Sequence, residues 1–213
     1  MRVLGTDLAE VGSFAAHHAY LAGVPLVLGL LISLPLGWVA LRRRWLYPPV
    51  IVGTGLLYTI PSLALFVLLP GILGTQILDP VNVVVAMTLY TIALLTRTVA
   101  DGLGSVPDHV RQAATAMGYG PVRRFFSVEL PMAVPVISAG LRVAAVSNVS
   151  MVSVAALIGV SQLGLLFTDG FSRSAMGPIV LGVLACVLLA LAFDLLILAV
   201  TRVLTPWLRA VRA

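Results

Sequence analysis

The side chains that could carry chemistry are few and lie far apart in the sequence. All 13 basic residues are arginine, and the lack of lysine excludes a Schiff base, a lysine general base and a lysine-bearing phosphate loop. Cys186 is the only cysteine and lies in an apolar run, which favours packing over a disulfide or metal site. His17, His18 and His109 lack the neighbouring ligands that a metal site needs, and we interpret them as solvated or interfacial. No catalytic residue and no metal site are predicted.

Asp194 lies well inside an apolar run, where an unpaired charge is costly. Asp194 lies eight residues before Arg202, and Arg142 lies eight residues after Val134, where another apolar run begins. If these two runs cross a membrane in opposite directions, both side chains lie at a similar depth. We therefore predict an ion pair between Arg142 and Asp194, with Arg97 as the alternative partner. It would serve as a structural clamp or, alternatively, as a counter-ion for a substrate.

Polar side chains and a proline interrupt two apolar runs. In the run 134–160, Ser147, Asn148, Ser150 and Ser153 lie among apolar residues. Because they are unfavourable against lipid, they either hydrogen-bond to other helices or line a wet path. In the run 50–69, Pro61 and Ser62 break the helix and free a carbonyl that could contact a cation. All of these residues are candidates for a translocation path.

The composition requires that lipid surround most of these residues. The chain has 213 residues, of which 60% are hydrophobic and 10% are charged, too apolar for one soluble globule. A hydrocarbon core of ~30 Å takes ~20 helical residues. Five runs reach that length: 19–41, 50–69, 81–102, 134–160 and 178–204. We predict an all-α integral membrane protein with a single domain, residues 1–213, and we expect the first run to remain as an uncleaved anchor.

The arginines orient these runs. They follow the first run, lie between the third and fourth runs, and follow the last: Arg42, Arg43, Arg44, Arg111, Arg123, Arg124, Arg202, Arg209 and Arg212. All of them are cytoplasmic if the N-terminus is outside and the C-terminus inside, and only Arg2 and Arg173 are then external. The net charge of +5 therefore indicates membrane orientation, and nucleic acid is not a predicted partner.

The segment 105–131 between the third and fourth runs is not an ordinary connector. Asp108 can cap a helix after Pro107, and Gly118 with Gly120 ends it. A second short helix would expose apolar and basic side chains before Pro131 turns the chain back toward the membrane: Val122, Arg123, Arg124, Phe125 and Phe126. Such a pair of helices could dock on a partner protein or lie on anionic headgroups.

The spacing in this segment resembles the EAA loop of type I ATP-binding-cassette (ABC) importer permeases. Gln112-Ala113-Ala114 is followed after three residues by Gly118, and later by Val128-Glu129-Leu130-Pro131. In that family the loop is the coupling helix, which docks into a groove of the ATP-hydrolysing subunit. The chain departs from the family at Gln112, usually glutamate, and at Val128, usually isoleucine. The resemblance implies a set of coupling residues: Gln112, Ala113, Ala114, Gly118, Tyr119, Gly120, Arg123, Phe125, Leu130 and Pro131.

A wider resemblance, over residues 20–206, is to the branch that imports glycine betaine, choline, carnitine and proline. Three segments are similar to that branch: Tyr58-Thr59-Ile60-Pro61-Ser62-Leu63-Ala64-Leu65-Phe66, Gly140-Leu141-Arg142, and Ala156-Leu157-Ile158-Gly159 with Leu163-Gly164. Where relatives commonly have a glycine-rich turn, this chain has Val160-Ser161-Gln162. We therefore expect its outer loop to be gated or docked differently.

The resemblance implies a MetI-like permease fold with five transmembrane helices in a prokaryotic inner or plasma membrane. The expected partners are a cytoplasmic ABC ATPase dimer that binds ATP and Mg, a second permease that is identical or paralogous, and an extracytoplasmic solute-binding protein. The chain itself would hold no cofactor and perform no catalysis. An ergothioneine importer would look similar. An ion-driven secondary transporter or channel would explain the apolar runs but not the loop, and a membrane enzyme lacks paired acids or histidines.

Overall fold

The computed structural model describes residues 2–3 and 6–207. In this part of the chain two short antiparallel strands, β1 (Arg2–Val3) and β2 (Thr6–Asp7), precede nine α-helices. The helices are α1 (Leu8–Arg42), α2 (Tyr47–Thr59), α3 (Ser62–Leu73), α4 (Pro80–Gly104), α5 (Asp108–Ala116), α6 (Pro121–Arg124), α7 (Leu130–Val152), α8 (Leu165–Ser172) and α9 (Met176–Leu204). A π-helical turn, Phe125–Glu129, joins α6 to α7, and a 3₁₀ segment, Ser153–Ile158, follows α7. Arg209 and Arg212, which helped to orient the runs, lie outside the described residues.

Four continuous helical stretches of the described chain are long and apolar enough to cross a bilayer: Ala9–Arg42, Pro80–Gly104, Pro121–Ile158 and Met176–Leu204. They include most of the first, third, fourth and fifth predicted runs, and the bent pair α2–α3 adds a fifth span if it is counted as one. The all-helical membrane class is confirmed. The helix α1 begins well before residue 19, because the Asp7 carboxylate caps it by accepting a hydrogen bond from the Ala9 N–H at 3.3 Å.

The second predicted run, 50–69, is not one straight helix. The axes of α2 and α3 meet at 101°, and Ile60 and Pro61 between them have extended backbone, with ψ of 129° and 131°. Pro61 has no N–H to donate to the preceding turn, and proline disfavours helical conformation in the residue before it. The break that the sequence indicates at Pro61 is therefore a sharp corner between two helices.

The helix α4 lies at the centre of the bundle and packs against α1, α7 and the α2–α3 pair. A Cβ atom at Gly29 of α1 would overlap Thr91, and one at Gly37 would overlap Val99. These glycines let the α1 and α4 backbones approach closely, as small residues do in membrane helix pairs. The fully buried Tyr90 lies in the main apolar cluster, with half-buried Cys186 packed against that cluster.

The last helix, α9, covers α7 and α8 and leaves most of its own surface uncovered. Only Pro178, Gly182 and Ile197 of its residues are buried. The exposed surface is almost continuously apolar: Val180, Val183, Leu184, Val187, Leu188, Leu191, Leu195, Leu196, Val200, Val203 and Leu204. Lipid is the solvent that suits such a helix.

Candidate functional site

The segment α5 ends in a glycine-dependent cap. Gly118 has a φ of 82°, its N–H donates to the Thr115 carbonyl at 2.9 Å, and the Tyr119 N–H donates to the Ala114 carbonyl at 3.1 Å. These two bonds form a Schellman motif, which needs the left-handed conformation that glycine adopts without strain. At the other end, Pro107 rather than Asp108 occupies the cap position. Gly118 therefore sets the direction in which the chain leaves α5.

Large apolar side chains lie on the outside of this segment. Met117, Val122 and Phe126 are 69%, 60% and 63% exposed, and the Arg123 guanidinium lies 4.4 Å from the centre of the Tyr119 ring. Among the predicted coupling residues, Gln112, Ala113 and Gly120 are also exposed, whereas Ala114 is buried. We call Met117, Val122 and Phe126 with the Arg123–Tyr119 pair the docking face, because side chains of this kind suit contact with a protein partner.

Two expectations for the second half of the segment are wrong. Pro131 does not turn the chain, because helical structure is continuous over Pro121–Ile158. The wide π turn accommodates the proline: the Leu130 N–H donates to the Phe125 carbonyl, five residues back, so the ladder is already offset where Pro131 contributes no donor.

The second error concerns Phe125, which we expected on the outer surface. It is only 6% exposed, and its ring lies 5.2 Å from the Trp38 ring of α1, centre to centre. It belongs to an apolar cluster with Leu103 of α4 and Ile137 of α7. The π turn aims Phe125 inward, so this side chain anchors the segment to three membrane helices.

A polar network joins the segment to the neighbouring membrane helices. Arg124 Nε donates to Glu129 Oε1 at 2.6 Å, and Arg124 Nη1 donates to Thr115 Oγ1 at 2.7 Å. Thr115 Oγ1 donates to the Arg111 carbonyl at 2.8 Å, while the Arg111 guanidinium donates to the Leu103 carbonyl and to Asp108 Oδ1. Side chains from α5 and α6 are thus joined to the start of α7 and the end of α4.

The intramembrane charges Arg142 and Asp194 are in direct contact. Arg142 Nε donates to Asp194 Oδ1 at 2.6 Å, and Nη2 donates to Oδ2 at 2.8 Å. This two-bond geometry joins α7 to α9 and is the arrangement in which an arginine pairs best with a carboxylate. Arg97, the alternative partner, lies 3.7 Å from Asp101 on its own helix.

The small polar residues of α7 differ in their surroundings. Asn148 is fully buried, and its Nδ2 donates to Thr91 Oγ1 at 2.9 Å and to the Ala22 carbonyl at 3.2 Å. It thus joins α7 to α4 and α1. Ser150 is exposed, and Ser147 and Ser153 are half-buried. Only the three serines leave surface that could contact a passing solute.

The corner between α2 and α3 places the carbonyl end of α2 beside an aromatic side chain. The Tyr90 hydroxyl donates to the Ile60 carbonyl at 2.5 Å. The Tyr58 and Thr59 carbonyls lie at the end of α2, where the extended backbone of Ile60 and Pro61 interrupts the helical hydrogen-bond ladder. Pro61 is exposed, Ser62 is half-buried, and 36% of Tyr58 is exposed beside these carbonyls. The corner therefore combines the carbonyl end of a helix with an accessible aromatic side chain.

His18 is not solvated or interfacial, and that expectation is wrong. It is fully buried, with Nδ1 2.9 Å from Gln162 Oε1 and Nε2 2.9 Å from the Val149 carbonyl oxygen. Gln162 Oε1 also accepts a hydrogen bond from the Gly164 N–H at 2.5 Å. The early start of α1 places His18 inside the bundle, where it holds the loop after the 3₁₀ segment against α7. His17 is half-buried, and His109 is exposed.

The family described as binding-protein-dependent transport system inner membrane component matches residues 27–210. The chain belongs to this family. It is a permease subunit of an ABC importer, inserted in the membrane by several helices and acting with an ATPase partner. In the described residues of this permease no group of three or more His, Cys, Asp or Glu side chains could hold a metal ion.

Relatives and solved structures agree with this assignment. The permease is 36% identical over 199 residues to the osmoprotectant import permease protein OsmW of Salmonella typhimurium, with 92% of each chain covered. It is 28% identical to the choline transport system permease protein OpuBB of Bacillus subtilis, over 97% of this chain and 94% of that one. In fold it matches the MetNI methionine ABC transporter in inward-facing conformations, with a TM-score of 0.77 and 22% identity over 92% of this chain and 98% of that one.

Sequence reasoning missed several residues that shape the segment between α4 and α7. Arg124, Glu129 and Thr115 were not among the predicted coupling residues, although Glu129 lies within the quoted motif. Glu129 lies five residues after Arg124, and Thr115 lies nine residues before it. Neither separation matches the spacing of neighbours on one helix, because a glycine cap and a π turn bring the three residues together. This chain has Gln112 where the family usually has glutamate. Arg111 and Arg124 nevertheless each have a carboxylate partner, since Arg111 pairs with Asp108 and Arg124 with Glu129.

Proposed function

We propose that this permease imports a compatible solute such as glycine betaine, choline, carnitine or proline, with ATP hydrolysed by the partner subunit. The observation that carries the proposal is the similarity to OsmW along nearly the whole of both chains. The docking face supports the drive mechanism, since it offers exposed apolar side chains at the end of a capped helix. The chain would have no catalytic role of its own.

The assembly in this proposal contains two permeases, identical or paralogous, an ATPase dimer on the cytoplasmic side and a solute-binding protein on the other side. ATP-driven closure of the ATPase dimer would move the two segments around Gly118 and tilt the helices between inward-open and outward-open states. The outward-open state would accept solute from the binding protein.

The membrane orientation follows from the positions of the arginines. With the N-terminus outside, Arg42, Arg43 and Arg44 at the end of α1 are cytoplasmic. The loop with Arg111 and Arg124 is cytoplasmic as well only if the α2–α3 pair counts as one crossing. We therefore propose that the bent pair crosses the membrane, and that the C-terminus is cytoplasmic.

The corner between α2 and α3 is the strongest candidate for contact with the solute. The carbonyl end of a helix carries partial negative charge, and an aromatic face attracts quaternary ammonium groups. Tyr58 and the carbonyls at the end of α2, beside Pro61 and Ser62, would offer both to a cationic group. Ser147, Ser150 and Ser153 are proposed as further path residues, whereas Asn148 already has partners on α1 and α4.

The test is uptake by vesicles that contain the permease, its ATPase and its binding protein. Labelled glycine betaine, choline, carnitine, proline and ergothioneine are compared with and without internal ATP. We expect ATP-dependent uptake of at least one of the first four. Uptake of ergothioneine alone would assign the alternative substrate, and uptake driven by an ion gradient without ATP would contradict the proposal.

A further inference from the structure

We propose that Arg124 is a positioning residue that makes the coupling helix α5 and the membrane helix α7 move as one body, an inference that rests on the proposed function. Its guanidinium spans two elements by donating to Glu129 just before α7 and to Thr115 on α5. We call Arg124, Glu129 and Thr115 the clamp.

The acidic side of the clamp is buried and depends on Arg124. The Glu129 side chain is 6% exposed and that of Arg124 is 22% exposed. A buried carboxylate is strongly unfavourable unless it is paired and hydrogen-bonded. The planar guanidinium can bond the carboxylate through Nε while Nη1 remains directed at a second acceptor, which a lysine ammonium does less well.

The clamp continues to the end of α4. Thr115 Oγ1, which accepts from Arg124, donates to the Arg111 carbonyl, and the Arg111 guanidinium donates to the Leu103 carbonyl. Leu103 in turn packs in the apolar cluster of Phe125 and Ile137. A displacement of α5 is therefore carried by side-chain bonds to both α4 and α7.

The need for a clamp follows from the position of the docking face. Met117 lies before the turn at Gly118, whereas Val122 and Phe126 lie after it. In the peptide chain, α5 and α6 are joined only by residues 117–120. A force applied to the Met117 side would bend that turn unless another connection crosses it. The Arg124 to Thr115 bond is such a connection.

The first test measures solute transported per ATP hydrolysed in reconstituted vesicles. Thr115→Val removes the hydroxyl at nearly constant shape and leaves the ion pair intact, whereas Thr115→Ser keeps the hydroxyl. We expect Thr115→Val to lower the ratio severalfold, because the side-chain bond that crosses the turn is lost, and Thr115→Ser to retain most of it. Arg44→Gln removes one exposed arginine outside the clamp and should leave the ratio unchanged.

The second test is a double-mutant cycle. Arg124→Gln should lower the same ratio about tenfold or more, with the ATPase still co-purifying. In Arg124→Gln alone, Glu129 would be buried without a partner. The double variant with Arg124→Gln and Glu129→Gln removes both charges and avoids this effect. We expect the double variant to be no worse than Arg124→Gln alone, since both remove the same contact. Additive losses would overturn the clamp.

A third measurement is independent of transport. Spin labels at His109→Cys on α5 and Ala139→Cys on α7, both exposed positions, are introduced with Cys186→Ser. We expect a narrow distance distribution that broadens with Thr115→Val but not with Thr115→Ser. An unchanged distribution and an unchanged transport ratio in Thr115→Val would overturn the proposal. If the parent complex transports none of the solutes, the proposed function fails, while the distance distribution still decides the clamp.

Discussion

In the segment between α4 and α7, one glycine has a geometric role that a neighbouring glycine lacks. Gly118 and Gly120 both have open space where a Cβ would stand, but only Gly118 has a left-handed φ, of 82°. A Cβ in that conformation costs roughly 1–2 kcal/mol. The two glycines therefore separate the effect of backbone conformation from that of side-chain size.

We predict that Gly118→Ala lowers ATP-dependent uptake severalfold and weakens co-purification of the ATPase. A distorted Schellman cap would change the direction of the chain after α5 and so separate Met117 from Val122 and Phe126. Gly120→Ala, whose φ is −66°, should cause a smaller loss. Equal losses in both variants would show that conformation at Gly118 is not the reason for its presence. Uptake and co-purification are measured on the same membranes.

Tyr58 is the residue with which to test the path. Tyr58→Leu removes the aromatic face and should raise the KM for uptake of a quaternary ammonium solute about fivefold, in line with a cation–π contribution of ~1 kcal/mol. Tyr58→Phe keeps the ring and should keep KM close to that of the parent. Proline uptake, where it occurs, serves as the control, since its secondary ammonium keeps N–H donors for alternative contacts. A fall in kcat with KM unchanged would place Tyr58 outside the solute's route.

Among the helices, the pair formed by Arg142 and Asp194 is a polar connection between α7 and α9. Removing one partner leaves the other charge unpaired, whereas replacing both by apolar residues leaves no charge that needs a partner. The two substitutions should therefore not be additive. This contrast separates a clamp between helices from a site that a substrate needs.

We predict that Arg142→Met and Asp194→Leu each lower the thermal midpoint of the purified permease, and that the double variant recovers most of the loss with substantial uptake. Thermal unfolding followed by size-exclusion fluorescence provides the midpoint. Full stability of the double variant with complete loss of uptake would instead favour a counter-ion for the solute. The salt dependence of uptake would then be the next measurement.

For the whole molecule, the proposed topology makes a labelling prediction. In a Cys186→Ser background, His109→Cys should react with a membrane-impermeant maleimide only when the cytoplasmic side is accessible. Ser161→Cys, exposed in the loop after the 3₁₀ segment, should react only from the outside. Arg44→Cys should match His109→Cys. If residues 44 and 109 react from opposite sides of the membrane, α2–α3 returns to the side from which it enters.

Sequence reasoning worked where a feature depends on composition or on spacing along one axis. Apolar run length located the long helices, and counting residues from the ends of two spans brought Arg142 and Asp194 to the same depth. It failed where the outcome depends on tertiary direction. No local pattern shows that a π turn aims Phe125 inward, that His18 meets Gln162, or that Pro61 bends the chain by 101°.

The length of the last helix makes its tilt depend on the thickness of the surrounding bilayer. With 29 residues at 1.5 Å each, α9 is about 43 Å long, against a hydrocarbon thickness of about 30 Å. It must lean in a thin bilayer and stand more upright in a thick one, and through Asp194 it pulls on the helix that begins beside Glu129. Lipid chain length, varied in otherwise identical vesicles, should therefore act as a mechanical input to the import cycle.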